Sequence, residues 1–560
     1  MPLRRLSALL GTAVLALVPA MSGCTSGSAP SGSPSGSPSP SASASDSAAA
    51  ERARERLSGM SVEEKIGQLM VLLAEGTTAE ESAGLVSAYN PGGLIYFPEN
   101  LSGAEQIARM SNGLQRTAAD NGAGVPLFLG IDQEQGMVSR LPVGTRFPDA
   151  MAVGATRDTA HAEALAGATA EELTALGINL DYAPVADTNT NPDNPVIGIR
   201  SFGSDPDLVS EMAAAEAAAF GAGGVVPVVK HFPGHGDTDV DSHTGLPVID
   251  KPRDEWEKED LPPFRAAVES GVDAIMTAHV LMPALDDSGE PSTLSPDVIG
   301  GVLRDELGYD GIVTTDALNM EGVRQTHSDG EVAVRAVLAG ADQLLMPPDP
   351  QAAFDALRNA VRKGRISTER LDRSVLRILT AKAERGLFGA EPADAAGAEA
   401  AVGTQEHRAA ARALAEDSAT LLRNKGGVLP LDADATVSVT GSGAEDIGAG
   451  LEELGYTVTA DPASADAAVV GTLSARGDAE QLSLVSAARE SGTPVVVVAQ
   501  GTPYDITDLG AVDGYLATYS SVDASRSAAA RVLAGEVAPA GRLPVGIPGT
   551  DLDFGDGLSY

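Results

Sequence analysis

The chain of 560 residues contains one cysteine, Cys24, and far fewer basic than acidic residues. A single cysteine excludes any disulfide within the chain, so an exported form must be stabilised by its packed cores alone. Lysine and arginine number 38 against 78 aspartate and glutamate residues, which gives a formal net charge of −40. Such a surface repels nucleic acid and anionic membranes, and we therefore expect no nucleic-acid partner.

Long apolar runs are also scarce. The run Leu6–Val18 follows two arginines and is shorter than a membrane span requires, but it suits a secretion signal. Small residues then precede Cys24 in a pattern that resembles the lipobox of bacterial lipoproteins, although Met21 stands where leucine is usual. We expect residues 1–24 to be a lipoprotein signal peptide, with Cys24 as the lipidated residue. A plain signal peptide with an incidental cysteine is the alternative.

Residues 25–50 consist almost wholly of serine, glycine, proline and alanine. Such a segment cannot bury apolar surface, which predicts a disordered tether. A tether after a lipidated cysteine would hold a globular body away from a membrane. We expect the protein to be exported and lipid-anchored to the outer face of a bacterial cell membrane, or secreted, with the lipid as its only membrane contact.

Short apolar runs alternate with helical patterns after the tether. Eight runs are candidate strands: Leu69–Ala74, Gly93–Phe97, Leu127–Asp132, Asn179–Val185, Val225–Lys230, Ala274–Val280, Ile312–Asp316 and Gln343–Met346. Strand–helix alternation predicts parallel strands, and eight repeats predict an α/β fold with a TIM-like (β/α)₈ barrel over residues 51–395. A doubly wound open sheet is the alternative. No Gly-x-Gly-x-x-Gly motif follows the first strand, so no dinucleotide cofactor is indicated.

A second α/β pattern over residues 396–560 predicts a smaller αβα sandwich domain. Its clearest strands are continuous and rich in valine, as expected for a small parallel sheet covered on both faces. The domain has no clear catalytic constellation. We interpret its polar pairs, Glu406-His407 and Tyr504-Asp505, as surface residues.

The most informative stretch runs from Lys230 to His243 and contains three of the chain's seven histidines. It follows the apolar run Val225–Val229, so a cation and an imidazole stand at the end of a strand. Other polar residues lie at or near the ends of candidate strands: Asp132, Asp181, His279 and Asp316. The carboxyl ends of barrel strands form the rim where active sites lie, and charged residues there are costly as structure. The pattern therefore predicts an active site at this rim.

Two features of the rim suggest acid–base and nucleophilic chemistry. Asp316 directly ends an apolar strand, which suits either a nucleophile or the N-cap of a helix beginning at Ala317. Asp241 stands two residues before His243, and a carboxylate beside an imidazole orients it for proton donation near neutral pH. A local loop hydrogen bond is the alternative for that pair.

The remaining rim residues suggest ligand binding. Lys230 and His231 could bind the hydroxyls or an amide carbonyl of a neutral ligand, or a phosphate. A metal site formed by His231, His235 and His243 is a competing interpretation. Their surroundings are rich in glycine and proline, which does not suit a helical zinc pair, and no cysteine is near, so we expect no metal.

The run Lys-His-Phe-Pro-Gly-His-Gly, followed by Asp-Ser-His, resembles the β-N-acetylglucosaminidase branch of glycoside hydrolase family 3, and the likeness extends over about residues 55–548. It implies the two-domain form, a TIM-like barrel followed by a sandwich domain. Members of this branch are retaining exo-glycosidases with an aspartate nucleophile and a histidine acid/base on a mobile loop. The resemblance implies Asp316 as nucleophile, His243 as acid/base and Asp241 as its partner.

The resemblance also implies a set of residues that hold the non-reducing sugar: Asp132, Arg140, Arg200, Lys230 and His231. The chain departs from the family where Asp-Gln-Glu-Gly-Gly-Arg-Val is usual, because it has Gln135 and Met137 in that motif. Met137 replaces a cation near the binding rim, which puts substrate preference in question.

The implied activity is hydrolysis of terminal β-linked N-acetylglucosamine from cell-wall muropeptides or related glycans, through a covalent glycosyl-aspartate intermediate and with no cofactor. A neutral imidazole base would let phosphate approach, so phosphorolysis is an alternative. A β-glucosidase of the same family and an amino-sugar-binding lipoprotein without catalysis are the others. An amidase or acyltransferase is not indicated, because no serine or cysteine lies in a suitable nucleophile motif.

Overall fold

The computed structural model describes residues 44–560. The signal peptide and lipidated Cys24 predicted above lie outside this part of the chain. The first helix, Ala44–Ser58, includes residues 44–50 of the predicted tether. Alanine is the strongest helix former, and these residues are mostly alanine and serine. Within residues 44–560, no helix is long and apolar enough to cross a membrane.

The first ten strands comprise a parallel barrel and a short hairpin. They are β1 Met70–Leu73, β2 Gly93–Ile95, β3 Phe128–Ile131, β4 Gln133–Gln135, β5 Val138–Ser139, β6 Leu180–Asp181, β7 Val226–Phe232, β8 Ala274–Thr277, β9 Ile312–Thr315 and β10 Leu344–Leu345. Eight of them pair in parallel in the order β10-β1-β2-β3-β6-β7-β8-β9. A parallel bridge between Thr314 and Gln343 joins the two ends of this sheet. The predicted barrel is therefore confirmed, and the open sheet is excluded.

Helices surround the barrel and connect its strands. They are α1 Ala44–Ser58, α2 Val62–Gln68, α3 Ala79–Tyr89, α4 Ala104–Ala119, α5 Ala150–Thr156, α6 Thr159–Ala175, α7 Pro206–Ala222, α8 Arg253–Glu259, α9 Leu261–Glu269, α10 Glu321–Arg324, α11 Asp329–Ala339, α12 Pro350–Arg362 and α13 Thr368–Glu384. A π-type helix covers Asp297–Glu306. Local sequence sets their starts: Asp205 caps α7, for example, and Pro206 fills its first turn.

The second domain is built around a six-stranded sheet. Its helices are α14 Ala398–Ala401, α15 Gln405–Ser418, α16 Ala444–Glu453, α17 Ala479–Glu490 and α18 Asp523–Leu533, and its strands are β11 Thr420–Asn424, β12 Thr436–Gly441, β13 Thr457–Thr459, β14 Ala467–Thr472, β15 Val495–Ala499 and β16 Gly514–Ala517. The strand order is β11-β16-β15-β14-β12-β13. The expectation of an all-parallel sheet is wrong, because β11 pairs antiparallel with β16. β11 enters the sheet from α15 rather than through a strand–helix–strand crossover, so the rule that keeps such strands parallel does not apply to it.

The two domains share a hydrophobic core. Alternate residues of β15 point to opposite faces of the sheet, as in any strand. Val495 and Val497 pack in the cluster that fills the barrel, whereas Val496 and Val498 pack in a second cluster on the far face. The domain boundary predicted between residues 395 and 396 stays a prediction.

The interpretation of the second domain's polar pairs as surface residues is wrong for three of the four side chains. His407 is 7% exposed, Tyr504 3% and Asp505 0%. His407 is hydrogen-bonded through Nδ1 to Glu172 of α6, at 2.8 Å, so it lies against a barrel helix. Asp505 accepts a 2.7 Å hydrogen bond from the hydroxyl of Thr472 at the end of β14. The partners of these side chains lie far away in the sequence, so the local sequence does not reveal that the side chains are buried.

Candidate active site

A cavity opens at the carboxyl ends of the barrel strands, with about 280 Å³ of water-accessible space. Its lining contains seven of the eight predicted catalytic and sugar-binding residues: Asp132, Arg140, Arg200, Lys230, His231, His243 and Asp316. The eighth, Asp241, contacts His243 from the side. The barrel topology therefore brings residues 132 to 316 together at one rim, as the strand-end pattern predicted.

Asp316 follows β9, and its backbone N–H donates to the carbonyl of Thr277 at 3.1 Å. Its Oδ1 accepts a 2.7 Å hydrogen bond from the N–H of Ala317. No helix begins there in the described chain, because the next one, α10, starts at Glu321. The helix N-cap alternative is therefore wrong.

The surroundings of Asp316 favour its carboxylate form. Burial would raise its pKa, but the nearby imidazoles of His279 and His231, the N–H of Ala317 and the ammonium of Lys230 together lower it below its usual value. Lys230 contributes, whereas the guanidinium of Arg200 pairs with a different carboxylate.

His243 lies on the loop after β7, and its side chain is 61% exposed. Its Nδ1 is 2.7 Å from Oδ1 of Asp241, and the same oxygen accepts a 2.8 Å hydrogen bond from the N–H of His243. Burial would raise the pKa of Asp241, but these two bonds hold it below its usual value. The two interpretations of the Asp241–His243 pair, a loop hydrogen bond and an orienting contact, thus describe the same interaction. Asp241 engages Nδ1 of His243, so Nε2 is the ring nitrogen that it leaves available.

One wall of the cavity is a buried charge network around Glu134, which our predicted set omitted. Arg200 donates to both carboxylate oxygens of Glu134, at 2.8 and 2.8 Å. Nζ of Lys230 lies 2.6 Å from Glu134 and 3.0 Å from Asp132. Burial would raise the pKa of Glu134, but these two cations lower it far below its usual value. The sequence signal was available, since Glu134 stands two residues after Asp132 in the same motif.

A second omitted carboxylate, Asp187, lies behind His231. It is fully buried, and its Oδ2 is 2.6 Å from Nδ1 of His231. Burial would raise the pKa of Asp187, but the imidazole of His231 lowers it. This contact fixes the ring so that Nε2 is the free nitrogen. Asp187 follows the strand region 179–185, so its position at a strand end was a usable signal.

Two other polar residues at strand ends, Asp181 and His279, are not part of the cavity lining. Asp181 accepts a 2.9 Å hydrogen bond from the N–H of Gln133, and burial raises its pKa to about 8. His279 is hydrogen-bonded to the hydroxyl of Thr293 and to the carbonyl of Ala317. Its contact with the residue after Asp316 makes it a support of the rim.

Apolar side chains also line the cavity, and they include Ile95, Phe97, Val138, Val196, Ile197, Met276, Met320, Leu345 and Met346. The guanidinium of Arg140 lies 5.4 Å from the centre of the Phe97 ring. Nε of Arg140 is buried without a hydrogen-bond partner in the described chain. Apolar lining combined with a few fixed polar groups is typical of sites for small organic ligands.

The metal interpretation gains no support. Within residues 44–560, no group of three histidine, cysteine or acidic side chains is placed to hold a metal ion. The three histidines in question have separate partners. His231 contacts Asp187, His243 contacts Asp241, and His235 is hydrogen-bonded through Nε2 to the hydroxyl of Ser242 at 2.9 Å.

The two departures from the family motif lie in the β4–β5 hairpin. Gln135 has a left-handed backbone, φ 72°, at a position where glycine is usual. Its side chain is buried and donates to the hydroxyl of Thr169 at 2.9 Å. Met137 is 65% exposed and is not part of the cavity lining. Gln135 is thus anchored away from the site, and Met137 lies outside the cavity.

The fold and the site together define a two-domain glycoside hydrolase. A TIM-like barrel is followed by a sandwich domain, and the carboxyl rim of the barrel presents a carboxylate and a carboxylate-paired imidazole. Residues 61–381 match the model described as the glycosyl hydrolase family 3 N terminal domain, and residues 456–559 match the family 3 C-terminal domain. The chain belongs to glycoside hydrolase family 3.

Several relatives carry hexosaminidase or N-acetylglucosaminidase names, and one of these names also includes beta-glucosidase. The chain is 38% identical to beta-hexosaminidase A of Pseudoalteromonas piscicida over 386 residues, which are 64% of each protein. It is 32% identical to a beta-N-acetylglucosaminidase/beta-glucosidase of Cellulomonas fimi, over 67% of each. A solved family 3 beta-N-acetylglucosaminidase from Paenibacillus sp. str. FPU-7 is 38% identical, with a TM-score of 0.81 over 87% of this chain and 98% of that one.

Proposed function

We propose that the protein is a retaining exo-β-N-acetylglucosaminidase that removes terminal β-linked N-acetylglucosamine by hydrolysis. The observation that carries this proposal is that Asp316, held as a carboxylate, and the Asp241–His243 pair border the same cavity. The names of the relatives support the activity and the N-acetylated sugar.

In the first step, protonated His243 gives its Nε2 proton to the glycosidic oxygen as the bond from that oxygen to the anomeric carbon breaks. A carboxylate oxygen of Asp316 attacks the same carbon and forms a covalent glycosyl ester. Asp241 holds Nδ1, so the proton leaves from the other nitrogen. The leaving group departs as a neutral alcohol.

In the second step, neutral His243 takes a proton from water as the water oxygen attacks the anomeric carbon. The bond to Asp316 breaks, the carboxylate is restored, and the β configuration is retained. Two inversions at one carbon account for retention. The exposure of the His243 side chain, 61%, gives solvent access to the base.

The buried charge network would hold the non-reducing sugar. Lys230, Arg200, His231 and Arg140 supply N–H donors at the cavity wall, and Asp132 supplies an acceptor. The contacts of Glu134 with Arg200 and Lys230, and of Asp187 with His231, fix these donors before a substrate arrives. Preorganised donors avoid the entropy cost of ordering on binding.

We further propose a cell-wall setting. Muropeptides, or related glycans that bear N-acetylglucosamine, would be the substrates, and the enzyme would act at the outer face of the membrane through lipidation of Cys24. The motif around Cys24 and the residues that follow it carry this part of the proposal. Replacement of Cys24 by alanine should release the protein from the membrane fraction into the medium. Unchanged membrane retention would contradict the anchor.

Phosphorolysis is the second candidate. The acid/base is an exposed imidazole rather than a carboxylate, so an anionic phosphate meets no repelling charge on the base itself. Product analysis with and without phosphate separates the two reactions. Free sugar alone in phosphate buffer supports hydrolysis, and a sugar 1-phosphate supports phosphorolysis.

The direct test is a panel of aryl β-glycosides with the wild type, Asp316→Ala and His243→Ala. We expect turnover of the N-acetylglucosaminide in preference to the glucoside, and loss of turnover in Asp316→Ala. Loss of the acid/base should cost about 10²–10⁴-fold. Preference for the glucoside would indicate a β-glucosidase. Binding without product in the wild type would indicate an amino-sugar-binding protein.

A further inference from the structure

His235 is clamped on three sides, although it takes no part in the mechanism above. Its N–H donates to Oδ1 of Asp187 at 2.8 Å, and its carbonyl accepts from Nδ2 of Asn194 at 2.9 Å. Its side chain is hydrogen-bonded to Ser242, and the residue is only 1% exposed. Burial lowers the pKa of His235 to about 4, so the ring is neutral near pH 7.

Asn194 connects two parts of the site. Its Oδ1 accepts hydrogen bonds from the N–H groups of Val196 and Ile197, at 3.0 and 2.8 Å, and both residues line the cavity. Its Nδ2 holds the carbonyl of His235. One side chain therefore ties the cavity wall to the first residues of the loop that carries His243.

The first residues of this loop pack directly against the segment that contains Thr188. A Cβ on Gly236 would lie 1.8 Å from the carbonyl oxygen of Thr188. Beyond Thr238 the loop is more open, since Asp239 and Val240 are exposed. Ser242, by contrast, is 1% exposed, and its carbonyl accepts a 3.2 Å hydrogen bond from the N–H of Gly322.

We propose that His235 and Asn194 are positioning residues for the acid/base, and that the His235–Ser242 hydrogen bond sets the position of the Asp241–His243 pair at the cavity. The proposal rests on the proposed function of His243. Asp187 and Asn194 fix the backbone of His235, and its ring then reaches seven residues along the loop to Ser242, which lies between Asp241 and His243. The exposed acid/base thus owes its position to a buried histidine.

A positioning role predicts a signature in leaving-group dependence. A poor leaving group needs proton donation, whereas a good one departs with little help. The kcat/KM ratio between 2,4-dinitrophenyl and 4-methoxyphenyl β-N-acetylglucosaminide reports how well His243 is placed. We expect Ser242→Ala, which removes the partner of His235, to raise this ratio by about tenfold relative to the wild type, since misplacement of a catalytic group is costly.

Asn194→Asp tests the other contact. It keeps the acceptor for Val196 and Ile197 but places a carboxylate oxygen against the carbonyl of His235, so the ratio should rise here too. Ser111→Ala is the matched control, because Ser111 is a buried serine, 1% exposed, whose hydroxyl bonds to Tyr96 away from the cavity. Its ratio should equal that of the wild type.

The outcomes are distinguishable. A raised ratio in Ser242→Ala and Asn194→Asp, with Ser111→Ala unchanged, supports the proposal. His243→Ala should raise the ratio. If it does, but Ser242→Ala and Asn194→Asp lower kcat/KM for the two aryl substrates by the same factor or leave it unchanged, the positioning role is wrong. If His243→Ala itself leaves the ratio unchanged, the proposed role of His243 fails instead. Thermal unfolding of each variant identifies any general loss of folded protein.

Discussion

Glutamine in place of Glu134 should weaken both sugar binding and the fold. The carboxylate is 7% exposed and pairs with Arg200 and Lys230. Glu134→Gln keeps the shape but leaves two buried cations facing a neutral amide whose NH₂ group can only repel their N–H donors. Removing one partner of a buried ion pair typically costs about 3–5 kcal/mol. Asp132 still contacts Lys230, so we expect the lower end of this range.

The assay combines thermal unfolding at pH 7 with steady-state kinetics on an aryl N-acetylglucosaminide. We expect a lower unfolding temperature and a raised KM, because the two cations that would hold the sugar lose their anchor. The pKa of Glu134 is lowered on folding, so its contribution to stability is present above the ordinary value of 4.5 and is lost as the pH falls below it. The difference between wild type and variant should therefore narrow in acid.

Asp273→Asn is the matched control. Asp273 is a 9% exposed carboxylate that pairs with Arg385 at the amino end of β8, away from the cavity. This variant should lose stability while its KM stays at the wild-type value. If Glu134→Gln has the wild-type unfolding temperature and KM, the charge network does not hold the site together and our reasoning is wrong.

Three further predictions follow from single contacts. Burial would lower the pKa of His407, but its hydrogen bonds to Glu172 and Glu171 raise it overall. His407 therefore contributes fully to stability below about pH 6.5, and this contribution is lost as the pH rises through the pKa of the folded state. The unfolding temperature of the wild type should fall over this pH range, and His407→Gln should not show this fall. A slope that persists in the variant would contradict this. Gly236→Ala should lower kcat by about tenfold or more, because the added Cβ would clash with the carbonyl oxygen of Thr188 and displace the loop. An unchanged kcat would contradict this. Lys382→Met should lower stability by about 1–3 kcal/mol, measured by denaturant unfolding, since it leaves the buried side-chain oxygen of Gln68 without its Lys382 donor; equal stability would contradict this.

Much of the barrel was predictable because parallel strands buried on both faces read as continuous apolar runs. The Val226–Phe232 strand is buried at every position and stood out for this reason. Catalytic candidates such as Asp316 were predictable for a related reason, since a charged residue at the end of such a run is costly to bury unless it has a partner or a function.

The supporting contacts were not predictable, because they depend on residues far apart in the chain. Arg200 and Glu134 are 66 residues apart, and His407 and Glu172 are 235 apart. Local sequence suggested a surface position for His407 and gave no reason to single out Asn194. Only the fold brings each of them to its partner. The antiparallel strand Thr420–Asn424 depends in the same way on where the preceding helix delivers the chain.

The central claim is that Asp316 forms a covalent bond to the sugar and that His243 governs its formation and breakdown. His243→Ala with 2,4-dinitrophenyl β-N-acetylglucosaminide tests it directly. A good leaving group departs without an acid, whereas hydrolysis of the glycosyl ester needs the base, so the ester should accumulate in this variant. Mass spectrometry of the quenched, digested protein should find one N-acetylhexosamine on the peptide that contains Asp316. An adduct on another residue, or none while the aryl alcohol is released in a burst, would contradict the account.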